Sequence, residues 1–354
     1  MNGVKRLLTR DRNLSVLSAL TLTTVVVLVA ALGDRFLSER NLQSMGTQVA
    51  EFGLLALAMG LAMLLGGIDL SIVSAAVLAG IVGAKFMAGD IIPITSGNEN
   101  TVMIGGAAAM LVTGMACGLL NGLLIAKLSV PPILATLATL IFFSGIGTVI
   151  TDGQSVPVEI PLYAEFGVAT VAKIPVIFLI MCALYVVVGL MLRKTRMGRR
   201  MYLYGENNVA LRFTGARNER LVILTYLLIG LIVGLAAMIM VSRVNSARVG
   251  FGRSYLLQAI LVVVLAGFDP YGGSGRVTNL LLGLVLLQSL QSAFTIMRLD
   301  PFMKTFIWGA ALLLIMVINH VLNTWSGRRK REKEPGTPPV AGPQPTLVDA
   351  EGSR

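Results

Sequence analysis

The sequence predicts an all-α polytopic membrane protein of about ten transmembrane helices, some of them broken or re-entrant. Hydrophobic residues make up 55% of the 354-residue chain and charged residues only 13%. That is about half the charged share of a soluble domain, too little polar surface to cover a water-soluble particle. Mean hydropathy is +0.80. The apolar residues lie in long continuous runs rich in Leu, Ala and Gly, without the period-two alternation of a membrane barrel. The 38 glycines and the 6% aromatic content suit helices packed closely in lipid through small residues.

A spanning helix needs about 20 mostly apolar residues. Such segments fall at 15–33, 42–66, 70–88, 101–126, 131–150, 174–192, 221–242, 254–268, 277–296 and 303–323, the third and eighth being the weakest. The first has a basic flank and an Ala31-Leu32-Gly33 sequence like that of a cleaved signal. Its apolar stretch is longer than a signal core, so it reads as a retained anchor. The chain divides into a basic cytoplasmic N-terminus (1–14), a transmembrane domain (15–325) and a basic, Pro-rich tail (326–354). The tail is too polar to order itself.

Charge placement sets the orientation. The net charge of +11 comes from clusters at Lys5–Arg12, Arg193–Arg220 and Arg328–Lys333. Nucleic-acid binding would suit such a charge. The clustering instead fits cytoplasmic flanks of membrane spans, with no nucleic-acid partner. Ten spans put both termini and the Arg193–Arg220 loop inside and the sparsely basic 152–173 loop outside. Arg243, Arg248 and Arg253 conflict with this, since they fall outside.

Four segments interrupt the pattern. Gly66-Gly67-Ile68-Asp69-Leu70-Ser71 breaks an apolar run. Asp69 either caps the next helix at an interface or lines a broken-helix path, since a carboxylate at membrane depth is costly. Asn121-Gly122 leads through Pro131-Pro132 to Thr136 and Thr139. Asn121 needs a partner within the bundle or a pore. The threonines either bond back to their own helix or offer hydroxyls to a solute. Ala266–Arg276, with four glycines and a proline, ends the eighth helix sharply. In the cytoplasmic loop Gly205 is expected to break the chain, Asn207 to cap a short helix and Gly215 to end it. That helix either lies on the surface or docks a cytoplasmic partner.

No catalytic residues emerge. Two cysteines, Cys117 and Cys182, and one histidine, His320, give no disulfide framework, metal site or triad. No phosphate-binding loop is present, and no cofactor is expected.

Taken together, GGIDLS at Gly66–Ser71, the Asn121–Thr139 stretch, the Gly198–Gly215 loop and GGSG at Gly272–Gly275 resemble the permeases of bacterial ABC importers for simple sugars. That family includes the ribose, galactose, xylose and autoinducer permeases. The resemblance covers about residues 40–320. Val73, Thr136-Leu137-Ala138-Thr139 and Gly267-Phe268-Asp269 depart from the family pattern. The resemblance implies ten helices and a second permease subunit. It also implies a cytoplasmic ABC ATPase, a periplasmic solute-binding protein and residence in the bacterial inner membrane. Its coupling helix would fall at Tyr204–Thr214, with Tyr204, Gly205, Asn207, Ala210, Arg212 and Gly215 as docking residues. Asp69, Asn121, Thr136 and Thr139 would serve the path of a sugar-like solute. The rival reading is an ion-coupled secondary transporter, for which Asp69 and Asp269 are the only acidic candidates.

Overall fold

The computed structural model describes residues 12–89, 92–95, 97–315 and 317. The predicted tail, His320 and most of the N-terminal basic segment lie outside the described residues. Contacts divide the chain into two units, residues 1–312 and 313–354. Everything below concerns the first, except the last residues of α14.

Each predicted apolar segment contains a helix. Those long and apolar enough to cross a membrane number seven among the described residues. They are α1 (Arg12–Leu32), α3 (Glu39–Leu64), α5 (Glu99–Ala126), α6 (Pro132–Thr151), α8 (Val176–Lys194), α11 (Asn218–Val244) and α13 (Val277–Ile296). α2 (Asp34–Leu37) is a single turn between α1 and α3. The segments that read as weakest, α4 (Ile72–Met87) and α12 (Arg253–Leu265), are shorter helices, as is α14 (Pro301–Ile315). α12 stops at Leu265, ahead of the expected 268. Beyond it Gly267 adopts φ +82°, and its N–H bonds back to the Val264 carbonyl.

α3 is the central helix: every residue from Val49 to Leu64 is buried. α11, α12, α13 and α8 surround it. α4 is likewise apolar on all sides and sits among α5, α6 and α11. A helix that is apolar all round belongs inside a bundle. The most extensive helix pair is α5 with α11, and its closeness depends on glycine. A Cβ at Gly118 would lie 2.2 Å from the Tyr226 carbonyl oxygen, and one at Gly114 would lie 2.5 Å from that of Gly230. Small residues spaced by four on both helices let the backbones meet, the means by which lipid-embedded helices gain contact.

The 152–173 segment, expected as a plain loop, has structure of its own. β1 (Val156–Pro157) pairs antiparallel with β4 (Ser246–Ala247). α7 (Pro161–Val168) is anchored by the Tyr163 hydroxyl, which donates to the Met238 carbonyl at 2.7 Å. β2 (Thr170–Val171) and β3 (Ile174–Pro175) form a hairpin. Its turn residues, Ala172 and Lys173, both have positive φ, the twist a two-residue hairpin favours. Neither is glycine, so no turn signal was visible in the sequence.

The acidic candidates named from sequence were incomplete. Glu51, in the middle of α3, is 0% exposed. Its carboxylate accepts from Arg243 Nε, from Arg243 Nη2 at 2.9 Å and from the Tyr255 hydroxyl at 2.6 Å. Arg243, in the last turn of α11, was the first of the three residues that conflicted with the charge rule. Its charge is spent on Glu51, so it does not act as a free topological signal. The fork-to-fork pairing ties α3, α11 and α12 together.

Two stability effects follow. Gly118→Ala is expected to destabilise the protein by about 1–3 kcal/mol, because a backbone oxygen cannot rotate away. Gly145→Ala, where a Cβ meets nothing within 4 Å, should not lower the melting temperature and should raise it slightly if anything changes. Arg243→Met leaves a buried carboxylate unpaired and should cost about 3–5 kcal/mol. Adding Glu51→Gln to it should recover part of that loss in a thermal double-mutant cycle. Additive losses would mean that the two charges do not depend on each other.

Candidate functional site

The sequence-predicted polar residues converge. The break after α3 places Asp69 two residues before Ser71, and Asp69 Oδ1 accepts from the Ser71 N–H at 2.9 Å and from its hydroxyl at 2.7 Å. Ser71 in turn accepts from Asn121 Nδ2 at 2.7 Å, which joins the break to α5. Thr136, near the start of α6, stitches the same break. Its hydroxyl accepts from the Leu70 N–H at 3.2 Å, and its proton is shared between the Ile68 carbonyl at 3.1 Å and the Pro132 carbonyl at 2.8 Å. Thr139 donates to the Thr136 carbonyl at 3.3 Å. The four residues are buried, as is Ser71, which sequence reasoning did not single out. Asn121 Oδ1 is buried with no hydrogen-bond partner. Asp69 thus forms a local turn at the head of α4, and Thr136 bonds both back to its own helix and across to the break.

The other breaks meet at the end of α3. In the basic loop between α8 and α11 the chain forms α9 (Arg196–Glu206) and α10 (Asn208–Phe213). Gly205 does not break α9, contrary to expectation: the helix runs through it to Glu206. Its lack of a side chain serves packing instead. A Cβ there would lie 2.1 Å from the Leu64 carbonyl oxygen and 2.2 Å from the Gly273 nitrogen. The Gly273 N–H donates to that Leu64 carbonyl at 3.1 Å. The Tyr202 hydroxyl donates to the Gly275 carbonyl at 2.9 Å. Gly272, at φ +102°, has space for a Cβ neither toward Gly205 nor toward Gly66. The ends of α3 and α9 and the 266–276 turn therefore share one backbone junction. Burial raises the Tyr204 phenol above its ordinary pKa, so this side chain is neutral beside the junction.

α10 follows the sequence reading. The Asn207 side chain accepts from the Ala210 N–H at 2.9 Å and caps it. Gly215, at φ +77°, follows its end. Leu211 is buried against the protein, while Ala210, Arg212, Val209 and Phe213 face outward, Phe213 at 87% exposure. Leu211 is therefore not an outward contact residue.

Cavities flank this framework. One groove of about 620 Å³ lies between the loop and the breaks, lined by Gly66, Pro132, Tyr204, Asn207 and Tyr271 among others. A second cavity, about 260 Å³, is lined by Gln48, Phe52, Arg243, Tyr255, Gln258, Gln288, Gln291 and Thr295. It lies at the opposite end of α11, a helix of 27 residues and so about 40 Å long. Asp69, Asn121, Thr136 and Thr139 line neither cavity. The amide residues were missed, though Gln288 and Gln291, three apart within an apolar span, were a visible signal.

A family described as branched-chain amino acid transport system / permease component matches residues 41–317. The ribose import permease protein of Escherichia coli (strain K12) is 30% identical over 307 residues, 86% of this chain and 92% of that protein. That of Bacillus subtilis (strain 168) is 32% identical over 302 residues, 85% and 91% of the two chains. The L-arabinose transport system permease protein of Escherichia coli (strain K12) is 28% identical over 279 residues, 79% and 82%. No solved structure is a significant match. The family match spans the apolar helices from α3 onward, the polar breaks and the loop that carries α9 and α10. With that extent of match, and relatives aligned over nearly their whole length, the chain belongs to this family of transport-system permease components.

Proposed function

We propose that the chain is the membrane-spanning permease of an ATP-driven importer that translocates a sugar or sugar-like small polar solute. On this reading a periplasmic solute-binding protein delivers the solute, a second permease subunit completes the path and a separate cytoplasmic ABC ATPase supplies the energy. The relatives named for ribose and arabinose support the solute class. The observation that carries the coupling is α10, a capped helix whose Val209 and Phe213 stand 60% and 87% exposed. An outward apolar face suits a groove on a partner. The Gly205 junction gives α9 a backbone link from that face to the breaks around Asp69.

The same reading places the chain in the bacterial inner membrane as ten crossings with both termini cytoplasmic. The short helices α4 and α12 then complete their crossings with the broken segments beside them. Such irregular backbone is tolerated at depth where protein covers it. Asp69, Asn121, Thr136 and Thr139 serve the path when it opens, with the unpartnered Asn121 oxygen free to accept from a solute hydroxyl. Tyr204, Gly205, Asn207, Ala210, Arg212 and Gly215 form the ATPase-coupling segment. Glu51 does not supply the proton site of an ion-driven carrier, because Arg243 and Tyr255 already hold it.

Two experiments test this. In a variant lacking Cys117 and Cys182, cysteines at Ser155 and Thr214 should label from opposite sides of the membrane. Labelling from one side overturns the orientation. Ala210→Glu, a bulky charge on the outward face of α10, should reduce co-purification with the ATPase at least tenfold and abolish ATP-dependent uptake. Membrane insertion should be unaffected, and Ala216→Glu should behave as the parent. Normal assembly and uptake by Ala210→Glu would remove α10 as the coupling element.

A further inference from the structure

The amide cavity at the far end of α11 has chemistry that its surroundings do not consume. Gln288 is 3% exposed and Gln258 is 6% exposed, both on helices of the apolar bundle. Buried polar groups in such a setting normally find partners. Gln288 Nε2 donates to Gln48 Oε1 at 3.2 Å, yet Gln288 Oε1 and Gln291 Oε1 accept from no protein group. Both residues line the cavity. Three helices, α3, α12 and α13, therefore direct glutamines at one cavity.

Its remaining walls complement those acceptors. Arg243 gives Glu51 its Nε–H and one Nη2–H. A guanidinium has five N–H donors, so others remain for the cavity. Because Glu51 balances the charge, those donors act without a net positive field. Phe52 and Tyr255, with ring centroids 6.4 Å apart and planes tilted by 40°, supply an apolar wall. The volume of about 260 Å³ holds several waters and has room for a monosaccharide of about ten non-hydrogen atoms.

We propose that this cavity is a binding subsite for a neutral, hydroxyl-rich solute of pentose size. Adjacent hydroxyls donate to the Gln288 and Gln291 carbonyls and accept from Arg243 and the Gln258 amide. The C–H face of the ring lies against Phe52 and Tyr255. A zwitterionic amino acid is disfavoured, because the ionic groups that would pair with it already pair with each other. An anionic sugar phosphate meets no uncompensated cation. The proposal rests on the permease reading for its place in transport, and in the proposed orientation the cavity lies toward the periplasm, where a binding protein would deliver solute.

Binding can be measured without ATP or partners. The purified full-length chain in nanodiscs is probed by saturation-transfer NMR with D-ribose, L-arabinose, L-leucine and D-ribose 5-phosphate. Transfer to the ring C–H protons of the two neutral sugars is expected, with none to leucine or the phosphate. Gln288→Leu and Gln291→Leu should each reduce it at least threefold, about the loss of one neutral hydrogen bond. Gln154→Leu, in the exposed outer segment, should not. Should Gln288→Leu fail to fold, Gln258→Asn carries the same expectation, since it keeps the amide but withdraws it by one methylene. Undiminished transfer in the cavity variants, preference for leucine or the phosphate, or transfer to no probe overturns the proposal. ATPase co-purification does not enter this measurement, so failure of the permease reading shows separately.

Discussion

Away from water, every backbone N–H and C=O must find a partner within the protein. The helical stretches meet that demand alone. Where helices stop, they do so in company: the Leu64 carbonyl at the end of α3 is capped by the Gly273 N–H from a segment more than 200 residues later. Gly205 of α9 presses against the same atoms. Thr136 performs a similar service one turn on, taking the Leu70 N–H and meeting the Ile68 carbonyl. These two breaks are thus satisfied by each other and by a helix start, and neither could be straightened alone without orphaning its neighbours' groups.

The distribution of polarity follows from this. One cluster, Asp69, Ser71 and Asn121, closes upon itself with short hydrogen bonds. A second, Glu51, Arg243 and Tyr255, cancels its own charge. The second leaves no free ion in the bundle, while in the first the Asp69 carboxyl is held by Ser71 alone. In these two regions the buried side-chain atoms without a partner, among the described residues, are neutral acceptors: Asn121 Oδ1 in the first, Gln288 Oε1 and Gln291 Oε1 in the second. Neutral acceptors along a path cost less to hold empty than charges do.

Helix positions were legible because a spanning run has a fixed length and little charge, and local rules found the cap at Asn207 and the stop at Gly215. The same rules misread Gly205. A glycine near a helix end reads as a terminator, but this one is small because Leu64 and Gly273 crowd it, and both are remote in sequence. The pairing of Glu51 with Arg243 spans 192 residues, and nothing local announces it. Each residue was visible as a charge near or within an apolar span, yet Arg243 could only be scored as a topological anomaly. The Ala172-Lys173 hairpin turn was hidden for a different reason: its residues are not ones that favour positive φ.

These remote contacts also bear on how a push at α10 would travel. α10 is six residues long and is joined to α9 through Asn207, so a load on its exposed face passes into α9. There Gly205 has no side chain to yield, and its backbone abuts the Leu64 carbonyl and Gly273 directly. Close-packed backbone transmits displacement rather than absorbing it. Leu64 ends the most deeply buried helix, and five residues later stands Asp69, bonded through Ser71 to Asn121 of α5. On the proposed reading, a shift of α9 cannot move the end of α3 without also straining the hydrogen bonds that hold the polar cluster shut. The unpartnered Asn121 oxygen is the group such a movement would bring into contact with a solute.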